Sequence, residues 1–244
     1  NDSFKAVSKY FDRITRPEQI LSTLPQAIQI MLDQADCGPA TISISQDVQG
    51  EAFDYPKVFF EEEVHEIRRV HPDQIQIEKA VDVIKKSKQP IIISGGGVLY
   101  SEAENELSAF AKKHNIPVTT TAMGIGCMDR DDPYNIGPIG GLGVGSANSL
   151  SKDTDLVISI GTKLSDFTTG SWSNFHNPDF KLISLNTARF DVTKHRATPI
   201  VSDAKIGLNE ISNSLSDWKA PDKWYQRAKK ESKEWDQYVE KQSG

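Results

Sequence analysis

DLVISIGTKLSDFTTGS, residues 155–171, decides the fold class. Asp155 leads into an unbroken apolar run (Leu156, Val157, Ile158, Ile160) that stops at Gly161 and opens into a polar loop of Ser, Thr, Asp and Gly. A strand buried on both faces of a parallel sheet reads this way where it delivers a loop to the sheet's carboxyl edge. In open α/β sheets that edge is where ligands bind.

Outward from this stretch, helix and strand patterns alternate. Ile77, Ala80, Val81 and Ile84 have amphipathic helical spacing, Pro90–Ser94 is a strand followed by Gly95-Gly96-Gly97, and Ala103, Leu107, Phe110 and Ala111 mark the next helix. Ile116–Thr120, Lys181–Leu185 and Pro199–Val201 read as further strands, with Pro117 suited to the start of its strand. Leu208, Ile211, Leu215 and Trp218 form the face of the helix after the last of them. This alternation predicts a doubly wound, mainly parallel, six-stranded Rossmann-like α/β domain with right-handed crossovers.

The flanks read differently. Arg16-Pro17-Glu18 starts a helix through Leu32, in which Pro25 predicts a kink, and Ala40–Ser45 is a short strand. The opening NDSFKAVSKYFDRI has no first strand or clear helix of its own and reads like the middle of something. The polar stretch ending at Pro56 reads as a linker, so the predicted units are 1–56, a central domain 57–218, and a helical segment 219–244. In that last segment Trp224, Ala228, Trp235 and Tyr238 have near-helical spacing. It either folds back on the sheet domain or leads toward a further domain.

Composition bounds the function. Among 244 residues the net charge is −6 with no basic stripe, which argues against nucleic-acid or anionic-membrane partners. No segment has the apolar length of a membrane span. Two cysteines, Cys37 and Cys127, make no disulfide framework and fit a reducing cytoplasm. His65, His71, His114, His176 and His195 show no metal-ligand spacing, and no G-x-S-x-G is present.

Gly95-Gly96-Gly97 lies where a phosphate cradle would, but lacks both G-x-G-x-x-G spacing and a P-loop lysine, so it reads first as a tight strand-to-helix turn. Five glycines between Gly137 and Gly145 read equally as a cofactor or domain-interface loop and as a turn before a helix. Asp166, Thr168, Thr169 and Ser171 read first as local caps and turns.

These pieces together resemble the thiamine-diphosphate-dependent superfamily of acetohydroxyacid synthase and pyruvate oxidase. FKAVSKY (4–10), the Arg16-Pro17-Glu18 helix and GPATISISQDVQ (38–49) are similar to the end of its pyrimidine-binding domain. Residues 57–218 are similar to its whole central domain, with matching punctuation at 90–97, 140–145, 155–161 and 199–203. SKYFDRITRPEQ, QDVQGEAFDYP and DFTTGSW resemble the trihydroxycyclohexane-dione hydrolase branch of myo-inositol catabolism. That branch hydrolytically opens a cyclohexane-1,2-dione ring to a deoxyglucuronic acid, using thiamine diphosphate and Mg2+.

Ser45 stands where the family usually has proline, and Asp166-Phe167 where flavin-binding members carry Asp-Asp-Arg, so FAD is not expected. The family's pyrimidine-activating glutamate falls before the matched region, and its Gly-Asp-Gly diphosphate motif has no counterpart, since no Gly-Asp occurs. The resemblance therefore implies a central piece of a larger enzyme, inactive alone, with no catalytic or metal residue and no cofactor of its own. Its partners would be the pyrimidine- and diphosphate-binding domains in a homo-oligomer, with a small-molecule substrate for the whole. Any occupied crevice would be lined by Gly95, Gly96, Gly161, Asp166, Asn186 and Asp203, at expected strand ends. The alternatives are a piece of a flavin-containing carboligase and a stand-alone nucleotide-binding module. The partial unit at 1–56 argues against the latter.

Overall fold

A computed structural model describes residues 1–243, and the chain divides into two compact units, Asn1–Arg69 and the remainder from Val70. The first unit holds a short helix α1 (Asp2–Lys5), strand β1 (Tyr10–Ile14), helix α2 (Ile20–Leu32) and strand β2 (Ala40–Ile44). The opening residues thus do form a helix and a strand. β1 pairs in parallel with β2, Tyr10 opposite Ala40 through Ile14 opposite Ile44. YFDRI is invisible as a strand locally because its partner lies some thirty residues on and its polar residues are used within the unit. The Thr23 hydroxyl of α2 donates to Asp12 Oδ2 at 2.5 Å, and Ile14, Thr23 and Ala27 are buried. Before α2 a 3-10 turn, Pro17–Gln19, is fixed by Gln19 Oε1, which accepts the N–H groups of Thr15 (2.6 Å) and Arg16 (2.9 Å). One helix runs on through Pro25.

The second unit contains α3 (Gln74–Lys86), β3 (Pro90–Ser94), α4 (Gly96–Tyr100), α5 (Glu104–His114), β4 (Val118–Thr120), β5 (Asn135–Pro138) and α6 (Gly145–Asp153). It continues with β6 (Leu156–Ile160), α7 (Asp166–Thr169), β7 (Lys181–Asn186), α8 (Arg189–Val192), β8 (Thr198–Val201), α9 (Ala204–Leu215) and α10 (Asp222–Ser243). The sheet order is β5-β4-β3-β6-β7-β8 and every neighbouring pair is parallel. Counted within the unit this is the 3-2-1-4-5-6 order of doubly wound sheets, which reverses direction between β3 and β6.

Burial explains why β3 and β6 read as continuous apolar runs. Ile92 and Ile158 point into a core with Ile77, Ile84, Leu107, Phe110, Leu208 and Ile211 from α3, α5 and α9. Ile91, Ile93 and Val157 point the other way, into a core with Ala147 and Leu150 of α6 and Trp224 and Ala228 of α10. Each buried isoleucine side chain contributes on the order of 2–3 kcal/mol, and with both faces covered no alternation survives.

The compact units divide between Arg69 and Val70, and residues 57–69 group with the first of them. The start of α10 is folded onto the sheet: Trp224, Tyr225 and Ala228 are buried, and the Trp224 indole N–H donates to the Pro90 carbonyl at 2.8 Å. Among the described residues no helix is long and apolar enough to cross a membrane.

Candidate functional site

The direction reversal between β3 and β6 places two loops side by side at the carboxyl edge. Gly95 N–H donates to the Ile160 carbonyl (2.8 Å), Gly97 N–H to Gly161 (2.9 Å), and Gly161 N–H to Leu185 (2.9 Å). A Cβ on Gly95 would sit 2.5 Å from the Gly161 carbonyl oxygen, and one on Gly97 would sit 2.6 Å from the Gly161 Cα. Gly161 itself has φ +61°. The glycines are therefore required by backbone packed on backbone across the switch point. The space a phosphate cradle would need beside Gly95 is filled by Gly161 and Thr162.

The loop after β4 closes the next side. Thr121 N–H donates to the Ser94 carbonyl (2.9 Å), and the Cys127 thiol donates to the Gly95 carbonyl (3.3 Å). Burial pushes that thiol up to about 11, so Cys127 holds the loop as a neutral donor. Sequence spacing offered no sign of this role.

The glycine-rich loop after β5 docks on the turn after β6. Gly141 N–H donates to the Phe167 carbonyl at 2.7 Å. Gly140, at φ +102°, leaves no room for a Cβ against that same carbonyl. Asn148 of α6 clamps the loop, accepting from Gly140 N–H (2.9 Å) and donating to the Gly140 carbonyl (3.0 Å). Its partner lies eight residues away across a turn, so no local pattern announces it. Tyr100, Met123, Ile125, Leu142, Phe167 and Phe190 stand exposed in the segments that follow β3 through β7.

The six sequence candidates separate accordingly. Gly95, Gly96 and Gly161 meet at the switch point, where Gly96 approaches the Met123 carbonyl. Asn186, at the end of β7, joins them by donating to the Thr162 carbonyl at 3.4 Å, while its Oδ1 accepts Ala188 N–H at 3.1 Å. Asp166 is exposed and opens the short α7. Asp203 is fully buried after the edge strand β8, where its carboxylate accepts Lys205 N–H (3.0 Å) and Ile206 N–H (3.2 Å) and caps α9. Its chemistry is that of a helix cap.

Residues 77–211 match the family model described as thiamine pyrophosphate enzyme, central domain. The chain belongs to this family. The match begins in α3, ends in α9 and so contains the whole six-stranded sheet. Curated relatives extend the likeness. The chain is 43% identical over 236 residues to a 3D-(3,5/4)-trihydroxycyclohexane-1,2-dione hydrolase of Clostridium tetani, covering 97% of this chain and 37% of that protein. It is 46% identical over 215 residues to one from Clostridium perfringens, covering 88% of this chain and 34% of the relative. A Bacillus cereus relative of the same name is 43% identical over 217 residues, covering 89% and 34%. The chain thus spans about a third of the length of the curated relatives it matches.

The residues present do not fit the diphosphate of the family's cofactor. A metal-anchored diphosphate needs converging oxygen ligands, and among the described residues no three His, Cys, Asp or Glu side chains cluster to provide them. The glycine turn that could cradle a phosphate is filled by Gly161, and the carboxylate of Asp203 is spent on α9.

Proposed function

We propose that this chain is the central-domain portion of a thiamine-diphosphate- and Mg2+-dependent hydrolase that opens the ring of trihydroxycyclohexane-1,2-dione. The observation that carries the reading is the 43% identity along 97% of the chain to a relative bearing that name. In this reading residues 1–56 are the end of a pyrimidine-binding domain, 57–218 the central domain, and 219–244 the connection toward a diphosphate-binding domain. The chain is a scaffold, inactive alone, within a cytoplasmic homo-oligomer. The exposed apolar side chains along the carboxyl edge support it, because such a row calls for a covering surface. Gly95, Gly96, Gly161, Asp166 and Asn186 remain the residues to line any small-molecule crevice there.

The test is a chimera in which this chain replaces the matching segment of the Clostridium tetani hydrolase. Loaded with thiamine diphosphate and Mg2+, it is expected to hydrolyse the cyclic dione and to form no acetolactate from pyruvate. A folded, cofactor-loaded chimera without dione hydrolysis overturns the reading. Calorimetry of this chain alone with thiamine diphosphate and Mg2+ is expected to show no binding heat, and a saturable isotherm would refute the scaffold role.

A further inference from the structure

We propose that His114 is an acid-released latch on the joint, residues 216–221, that carries the chain from α9 into α10. The joint opens on Ser216 at φ +52° and ψ −116°, a conformation costly for a residue with a side chain. Such a backbone persists only where its surroundings hold it, and here the last residue of α5, His114, and the residue after it, Asn115, do so. His114 Nδ1 lies 2.8 Å from the Trp218 carbonyl, and the His114 carbonyl accepts Ala220 N–H at 2.9 Å. Asn115 Nδ2 donates to the Ala220 carbonyl at 3.2 Å. The hold continues into the helix: Tyr134 donates its hydroxyl to Asn115 Oδ1 at 3.3 Å and stacks on Tyr225 of α10 at 4.4 Å.

The hydrogen bonds fix the protonation state of the latch. A carbonyl only accepts, so Nδ1 carries the hydrogen, and Nε2 takes its bond, 3.0 Å, from the Ser212 hydroxyl of α9. Lys113 Nζ also donates to Ser212, at 3.2 Å to both Oγ and the carbonyl. A second proton on the ring would give Ser212 Oγ two incoming donors and strip its own hydrogen of an acceptor. The ring is fully buried against Phe110 (4.7 Å) and Trp218 (6.5 Å), neither of which carries charge. The charged groups acting on it are both cations, Lys113 on its own helix and Lys219 in the joint, while α9 presents the neutral Ser212.

Burial first, and then the two lysines, hold the ring below the ordinary histidine range; the bond to Trp218 offsets them only in part. The opened joint, with an ordinary histidine near ~6.5, therefore takes up a proton that the closed joint refuses. Closure is unaffected above about pH 6.5 and weakens below it, by at most about tenfold per pH unit for one proton, until the closed form also protonates.

Hydrogen exchange read by mass spectrometry at pH 7.5, 6.5 and 5.5, corrected for intrinsic rates, tests the latch on the intact chain. Protection of 216–228 is expected to hold from pH 7.5 to 6.5 and to fall several-fold by 5.5, while β3 and β6 stay unchanged. H114Q, which has no titrating ring, is expected to lose this pH dependence. Should H114Q not fold, the His114 ring resonances of the native chain and of Lys219→Ser serve instead. They are expected to titrate below the ordinary range and to move upward when Lys219 is removed. A pH-independent joint, an equal fall in folded H114Q, or a ring titrating at or above ~6.5 would each overturn the proposal.

Discussion

Gly161→Ala is the sharpest test of the switch-point packing. Gly161 sits at φ +61°, and a Cβ there would lie 2.6 Å from the Gly97 Cα and 2.8 Å from the Val98 nitrogen. Both neighbours are backbone, so no side chain can swing aside. The left-handed conformation costs an L-residue roughly 1–2 kcal/mol, and forcing packed backbone apart adds about 1–3 kcal/mol. The sum, about 2–5 kcal/mol, corresponds to a fall of roughly 10 °C in Tm for a unit of this size.

Urea unfolding followed by circular dichroism measures this directly, with Gly50→Ala as the control. Gly50 has no atom within 4 Å of its would-be Cβ and no positive φ, so its replacement should stay within ~0.5 kcal/mol. A loss at Gly161 below ~1 kcal/mol would refute the claim that backbone contact, and not a ligand, requires the glycine there.

Other consequences follow from single contacts. Trp224→Phe leaves the buried Pro90 carbonyl without its 2.8 Å indole donor and is expected to cost about 1–3 kcal/mol in the same unfolding assay. Asp203→Ala uncaps α9 and should cost about 0.5–2 kcal/mol, most of it recovered by Asp203→Asn, whose amide oxygen still accepts the two N–H groups. With its thiol pushed up to about 11, buried Cys127 should resist a thiol reagent at pH 8 while exposed Cys37 reacts, giving one modified thiol per native chain and two in denaturant. Two rapidly modified thiols in the native chain would contradict the burial of the loop after β4.

What sequence reading could recover follows from how far each signal travels along the chain. β3 and β6 are legible because burial of all five residues in each writes itself as a nearly continuous apolar run, broken only by Ser94 and Ser159. The edge strand β5, Asn-Ile-Gly-Pro, has only one fully buried residue and carries two residue types that weaken strands, so nothing local distinguishes it from a loop. β1 fails for a different reason, since its evidence lies in β2. Pro and polar composition mark a linker ending at residue 56, and contacts that no local pattern announces carry the first compact unit on to Arg69. The aromatic spacing of 224–238 showed a helix but could not say what would cover it, and Trp224 resolves that by reaching Pro90, 134 residues away.

The glycines show where such reading reaches its limit. A glycine in a sequence records that a side chain is excluded, and a pyrophosphate and a neighbouring backbone exclude it equally well. Gly95 and Gly161 follow directly on the two central strands, and the fold brings them together at the point where the strand order reverses. What occupies the excluded space is decided by a partner some 65 residues distant. There Gly97 and Gly161 each remove a Cβ that the other's backbone would strike. The pairing is reciprocal, so relieving one side cannot accommodate a side chain on the other: Gly161→Ala and Gly97→Ala should each destabilise, and the double variant should be at least as unstable as either. A cradle kept for an anion predicts the opposite pattern, in which either alanine leaves stability intact and only ligand binding is lost.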